Sequence, residues 1–344
     1  MTCGWESRCK PGSLCDNAGM TKARVAWGVS IALLLFAAGV GLYTVFVHDH
    51  CSGYSFISPD FACSPAMPHA WYVGLKASLD AYVAQATDGG VSEVAVYYRD
   101  LREGTSVGVN ATNDFSPASL LKLPVVLAIV SIAERDAAIL TRELPYDKGS
   151  LDAEFDIPAA INFDNAGNTL EDGKKYPVED LLRATLVYSD NYAYFALLKF
   201  INYDYPGGTQ EVGRALQELG VIDPRDPSEE TVSVRNYSGI FRILYQAAFL
   251  DADNSEKVLR WLVEATFKEG LIAGVPASTP VATKFGERVL DGEAKQLHDC
   301  GIVYHPQNPY TLCIMTKGSD WAGLKETISE ISALVYKEVD SRAQ

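Results

Sequence analysis

Apolar and polar positions alternate along this chain in two distinct periods, and the period changes mark its elements. From Trp71 to Thr87, Leu75, Leu79, Tyr82 and Val83 recur at helical spacing, and the segment stops at Gly89-Gly90. "SEVAVYYRD" (92–100) and "TSVGVN" (105–110) then alternate as a strand pair across the turn at Glu103-Gly104. A helix opens at Ser119 and runs into the apolar stretch from Leu123 to Val130. Residues 141–176 are polar and turn-rich. Helices are predicted next over Val178–Tyr188, Asn191–Asn202, Gln210–Gly220, Val234–Leu250 and Glu256–Phe267. β character returns at "TPVATKF" (279–285), "GIVYHP" (301–306) and "YTLCIMT" (310–316), and an amphipathic helix over Leu324–Val339 closes the chain. Strands at both ends with helices between them predict one sheet completed by the N- and C-terminal segments, with an inserted helical lobe.

One apolar run belongs to neither period. Val25–Val47 contains 23 residues without a charge. At about 1.5 Å per helical residue it is long enough to cross a bilayer core of about 30 Å. A cleaved signal peptide is the rival reading, but its apolar region is usually only about 7–15 residues and its leader short. An uncleaved anchor therefore fits better. Lys22 and Arg24 precede the run, so the N-terminus is expected in the cytoplasm and the bulk of the chain outside. The expected organisation is a cytoplasmic tail (1–24), a membrane helix (25–47), a stalk (48–69) and a globular domain (70–340).

Charge narrows the partners. The net charge is −15, and the first 24 residues carry four basic and two acidic side chains, or +2, leaving −17 beyond them. Such a surface disfavours nucleic acid as a partner. The seven cysteines divide at the anchor into Cys3, Cys9 and Cys15 inside and Cys51, Cys63, Cys300 and Cys313 outside. The inner trio lacks a fourth ligand for zinc, and free or lipidated thiols are the plainer reading. No metal or cofactor is expected. Cys300 and Cys313 flank a hairpin whose turn lies at Pro306-Gln307. Facing residues there sum to 613, as these two do, which predicts a cross-strand disulfide against the alternative of two buried thiols. Cys51–Cys63 is a looser possibility in the stalk.

The candidate chemistry starts at "PASLLKLPVVLAI" (117–129), where Ser119 and Lys122 share a helical face at the mouth of an apolar helix. A lysine carried into such surroundings needs a partner or a role. Burial would lower its pKa and make it a base for the Ser119 hydroxyl one turn away. Ser116, just before Pro117, is a competing serine in a loop.

Three motifs occur in order: Ser119-Leu120-Leu121-Lys122 reads S-x-x-K, Ser189-Asp190-Asn191 reads S-D-N, and Lys284-Phe285-Gly286 is similar to K-T-G. With their contexts, "FSPASLLKLPVVLAI", "YPVEDLLRATLVYSDNYAYFALL" and "HDCGIVYHPQNPYTLCIMTKG", they resemble the class A β-lactamases and penicillin-binding proteins over about residues 70–340. The resemblance implies a two-lobed α/β (α+β) fold of the β-lactamase/transpeptidase type: an antiparallel sheet flanked by helices plus an all-helical lobe. It implies Ser119 as nucleophile, Lys122 as base, Ser189 as proton shuttle, and the backbone N–H groups of Ser119 and Glu287 as oxyanion donors. Asn191, Lys284, Phe285 and Gly286 would meet the substrate, a β-lactam or a cell-wall peptide. Read without the other motifs, Ser189-Asp190-Asn191 is a helix cap, and Asp190 is expected to be structural.

Two departures stand out. Phe285 replaces the hydroxyl residue of K-T-G, which in the family meets the substrate carboxylate. Class A enzymes also carry a loop glutamate, in an E-x-x-L-N context, that activates the deacylating water. Here Gly220 to Ser233 offers only Glu229 and Glu230, which fit a solvated turn. The expected activity is acyl-enzyme formation with slow deacylation, with a peptidoglycan DD-peptidase or transpeptidase as runner-up. A membrane-bound β-lactam sensor is the reading from another class, disfavoured because a 24-residue tail is short for an output domain.

Overall fold

The computed structural model of the protein describes residues 69–88, 91–157, 167–221, 231–290 and 294–342. The chain divides into two compact units, Met1–Met67 and Pro68–Gln344, and all described residues belong to the second. The expected tail, the anchor Val25–Val47, Cys3, Cys9, Cys15, Cys51 and Cys63, and the loop residues Glu229 and Glu230 lie outside the described residues. Among those described, no helix is long and apolar enough to cross a membrane.

The fold is mixed α/β. Helix α1 (His69–Asp88) leads into β1 (Val91–Asp100) and β2 (Ser106–Val109). Three strands return at the far end of the chain, β5 (Val281–Val289), β6 (Lys295–Val303) and β7 (Tyr310–Gly318), before the closing helix α9 (Trp321–Arg342). The five form one antiparallel sheet in the order β2-β1-β7-β6-β5, so β7 zips the C-terminal strands onto β1 and β5 is left as an edge. Strand alternation sorts the side chains. Ala95, Tyr97, Cys300, Ile302, Cys313 and Met315 join the core shared with the helical lobe. The intervening Val94, Val96, Tyr98, Leu312 and Ile314 are also fully buried. Tyr98 meets Trp71 of α1, whose indole reaches Glu338 of α9, so this second face is covered by the two terminal helices.

Between β2 and β5 lies the helical lobe: α2 (Lys122–Ala133), α3 (Lys148–Glu154), α4 (Val178–Val187), α5 (Asn191–Lys199), α6 (Gly208–Glu218), α7 (Val234–Tyr245) and α8 (Ala252–Val263). Asp190, Ser233 and Asp251 cap α5, α7 and α8, each accepting a backbone N–H three residues on. Helix α2 is apolar all round, and eleven of its twelve residues are buried. Such a helix has to run through the middle of a domain.

Three elements differ from the sequence expectation. The turn-rich stretch 141–176 contains a two-stranded sheet, β3 (Glu143–Tyr146) with β4 (Lys174–Pro177), in which Leu144 and Tyr146 alternate inward. Ser119 lies in a 3-10 turn, Ala118–Leu121, and the α-helix proper begins at Lys122. The strand expected at 301–306 is β6, beginning at Lys295; Gln296, His298 and Asp299 are polar yet buried, so hydropathy hid its first half.

Cys300 and Cys313 face each other in the β6–β7 ladder, their Cα atoms 3.9 Å apart, and form a disulfide at the centre of the sheet. Both are fully buried.

Candidate active site

The two singled-out lysines meet at one oxygen, and Asn191 joins them through Lys122. Lys122 Nζ donates to Ser189 Oγ at 3.2 Å, to the Ser189 carbonyl at 2.6 Å and to Asn191 Oδ1 at 2.6 Å. From the opposite side Lys284 Nζ donates to the same Ser189 Oγ at 2.9 Å and to the Phe285 carbonyl at 2.8 Å. Two amines therefore share one hydroxyl. Both lysines are buried, while Ser119, Ser189 and Asn191 are half-buried and open to a ligand.

Burial decides the charge state. Desolvation lowers the Lys122 pKa from 10.5 to about 7, against the opposing pull of Asp190 and Glu287. Lys284 is held well below its ordinary value by burial and by the Lys122 charge. The repulsion between the two amines is mutual, and burial is the larger cause at both. Two buried ammonium groups around one hydroxyl repel each other, so near neutral pH the pair carries less than two charges.

The sequence places Lys122 within one turn of Ser119. Among the described residues its hydrogen bonds run to Ser189 and Asn191 instead. The ammonium has three protons, and three acceptors on the Ser189-Asp190-Asn191 segment take them. That segment is held from behind by Asp190, which is buried, caps α5 through Ala193 N at 2.9 Å, and accepts from Tyr146 OH at 2.8 Å and from Asn168 Nδ2. Ser189 itself has φ of +52°, a left-handed conformation rare for a residue with a side chain. This cluster aims Ser189 at both lysines.

Ser119 sits on a turn braced by the sheet. Ala118, immediately before it, has φ of +48°. Tyr237 OH donates to the Leu120 carbonyl at 2.8 Å. His298 Nε2 lies 3.0 Å from the Ser116 carbonyl, and His298 Nδ1 faces the Thr316 N–H at 3.4 Å. An accepting Nδ1 leaves the proton on Nε2, so the imidazole is neutral and donates to Ser116; burial holds its pKa down to about 4. Ser116 is a loop residue whose Oγ accepts from Arg288 Nη1 at 2.7 Å. The strand β5 presses on the same turn: a Cβ on Gly286 would come within 3.0 Å of the Pro117 carbonyl and 3.1 Å of Leu120 N. Only glycine lets β5 approach this closely.

Phe285 is buried against Phe267, ring centroids 4.5 Å apart, and its ring lies 4.5 Å from Lys284 Nζ. Glu287, singled out for its backbone N–H, stands next to Gly286 on this edge strand, and its carboxylate raises the pKa of both lysines. The sequence reading did not reach that carboxylate, nor His298, Tyr237 and Asp299. Asp299 faces Phe285 in the ladder, accepts from Thr283 Oγ1 and from Leu271 N at 2.8 Å, and has its pKa raised to about 6 by burial. Strand alternation beside the K-T-G-like motif was the available signal for Glu287. Cys300 lies opposite Lys284 in the β5–β6 ladder, which sets the disulfide directly behind the lysine-bearing strand. Among the described residues no three His, Cys, Asp or Glu side chains gather as a metal site.

Comparison with known proteins gives concordant results. A family model described as the beta-lactamase enzyme family matches residues 74–339. A beta-lactamase of Streptomyces fradiae is 25% identical over 232 residues, 63% of this chain and 71% of its own length. Among solved structures, an acyl-enzyme complex of PBP-A with penicillin G superposes with a TM-score of 0.63 at 21% identity, covering 78% of this chain and 97% of that one. A beta lactamase from Xanthomonas campestris gives 0.63 at 20% identity, covering 77% and 98%. At these identities the two structures testify to the fold.

Proposed function

This chain belongs to the beta-lactamase enzyme family, and from that premise we propose that it is a class A-like serine hydrolase that opens β-lactam rings through a Ser119 acyl-enzyme. The single observation that carries the reading is the convergence of Lys122 and Lys284 on Ser189 Oγ beside the braced turn of Ser119. A neutral Lys122 amine removes the Ser119 proton as Oγ attacks the lactam carbonyl. The oxyanion is held by the Ser119 and Glu287 N–H groups. As the C–N bond breaks, Ser189 Oγ passes a proton to the departing nitrogen and is reprotonated by the Lys122 ammonium. Protons and charges balance, and the products are a Ser119 ester and a ring-opened amine. Asn191 holds Lys122 and meets the substrate amide.

Deacylation then lacks the family's loop glutamate, so the ester is long-lived. The same departure, with Phe285 in place of a hydroxyl residue, favours a second reading as a DD-peptidase or transpeptidase acting on peptidoglycan peptides. In either case the domain works outside the membrane, at residues 70–340, behind the stalk 48–69 and the anchor Val25–Val47, with residues 1–24 in the cytoplasm.

The test labels the purified exported domain with a fluorescent penicillin and follows the adduct by intact mass. One equivalent should load rapidly and then decay slowly, and Ser119→Ala should abolish it while Ser116→Ala does not. Undiminished labelling of Ser119→Ala overturns the nucleophile. Turnover at many per second, lost on Glu229→Gln or Glu230→Gln, overturns the slow deacylation.

A further inference from the structure

Four residues form one row across the sheet: Tyr97 of β1, Cys313 of β7, Cys300 of β6 and Lys284 of β5. Directly opposed residues point to one face, with Cβ atoms about 4.5–5.5 Å apart. The Cys300–Cys313 disulfide is therefore the inner neighbour of the Lys284 stem, on the face that meets the helical lobe. Both cysteines and Lys284 are buried, as are Ala282, Ile302 and Met315 on the same face. Among the described residues β5 pairs with β6 alone, so the place of Lys284 in the sheet is set from the cysteine-bearing strand. The row ends at the proton relay. A serine hydroxyl has one proton and two lone pairs. The Lys122 and Lys284 amines both donate to Ser189 Oγ, which fills both lone pairs and leaves the hydroxyl proton for a third group. Lys284 thus aims the proton that a departing nitrogen takes, while its own hydrogen bonds go to Ser189 Oγ and the Phe285 carbonyl.

Resting on the reading of Ser119 as nucleophile and Ser189 as relay, we propose that Cys300 and Cys313 are positioning residues of the active site. Their disulfide fixes the Lys284 stem so that its amine holds Ser189 Oγ, and the protein needs the bridge to expel a leaving group that has to be protonated. The physical cause is close packing. A disulfide holds its sulfurs about 2.0 Å apart, whereas non-bonded heavy atoms rest at roughly 3.5–4.0 Å. In a filled interior two thiols displace a neighbour, and the Lys284 stem is the neighbour on the β5 side. Two alanines leave a gap there instead, which frees the stem. A misplacement of about 1 Å costs up to about 100-fold in a catalysed step.

The experiment compares two acyl donors. Benzylpenicillin has a departing nitrogen that takes a proton, whereas the thioester hippurylthioglycolate expels a thiolate that leaves without one. Second-order rates of Ser119 acylation are followed by intact mass on the detergent-purified full chain. With Cys300→Ala and Cys313→Ala combined, the penicillin rate should fall about 10–100-fold while the thioester rate stays within about twofold. If that variant does not fold, the native sequence produced with both thiols reduced gives the same comparison. A bridge that serves stability alone moves both rates together or neither, and either result overturns the inference while leaving the nucleophile standing. Where the thioester does not load the native chain, a cycle with Lys284→Ala decides. On that background the cysteine substitutions should slow penicillin by less than about twofold, and an undiminished loss overturns the inference. Failure of both probes to form an adduct with the native chain overturns the nucleophile reading and this inference with it.

Discussion

The pH profile of acylation follows from the buried lysine. An ordinary lysine with a pKa of about 10.4 is neutral in only about 3–4 parts in 10⁴ at pH 7. Lys122, with its pKa lowered to about 7, is about half neutral there, a gain of roughly a thousandfold in available base. General-base help of about 10²–10⁴-fold in the acylation step is then within reach at neutral pH. The acylation rate measured with a chromogenic β-lactam should rise with unit slope below pH 7 and level off above it, and Lys122→Ala should lose the limb and most of the rate. Stability has the matching sign. Between about pH 7 and 10.5 the unfolded chain binds a proton that folded Lys122 refuses, so stability rises with pH through that window and the penalty is complete below it. Lys122→Met should flatten that slope in thermal unfolding. A rate flat from pH 5 to 9, or a limb only near pH 10, would refute burial as the activating force.

Two further outcomes test the scaffold. Asp190→Ala removes the cap of α5 and strands the Tyr146 hydroxyl, so denaturant unfolding should show a loss of about 2–4 kcal/mol, with acylation slowed because Ser189 loses its anchor. Peptide mapping without reductant should recover Cys300 and Cys313 as one linked pair, and replacing both with alanine should lower stability by about 2–3 kcal/mol for a loop of this size.

The parts of the site that were legible in the sequence are those fixed by local spacing. Ser119 and Lys122 lie three apart, Ser189 and Asn191 straddle a capping aspartate, and Lys284 and Gly286 share one row of a strand. Hydropathy also placed the terminal strands and their closing helix, because each has a burial period. It failed where burial is polar. Gln296, His298 and Asp299 lie before the strand expected at 301–306, yet all three are buried in the sheet: His298 between Ser116 and Thr316, Asp299 against Thr283 and Leu271. A hydrogen bond to a partner more than a hundred residues away leaves no trace in a local window. The hydrogen bonds of Lys122 were not legible for a related reason. Helical spacing says which residues are within reach, but the choice among acceptors depends on where the Ser189 carbonyl and Asn191 fold back.

The two left-handed residues show why that distant bracing matters. Ala118 and Ser189 each hold a conformation costing on the order of 1–3 kcal/mol, the first directly before Ser119 and the second at the start of the Ser189-Asp190-Asn191 segment. Neither residue type asks for it, so the strain has to be imposed. At Ala118 the imposing contacts come from Tyr237, His298 and the close approach of Gly286; at Ser189 they come from Asp190 with Tyr146 and Asn168, and from the two lysines. Each set joins the turn to a different lobe: the first chiefly to the sheet, the second to the helical lobe. Ser119 and Ser189 are thus held from different sides, with Lys122 at the start of α2 hydrogen-bonded to Ser189. That helix is buried over eleven of its twelve residues, so the position of Lys122 at its start is set by core packing.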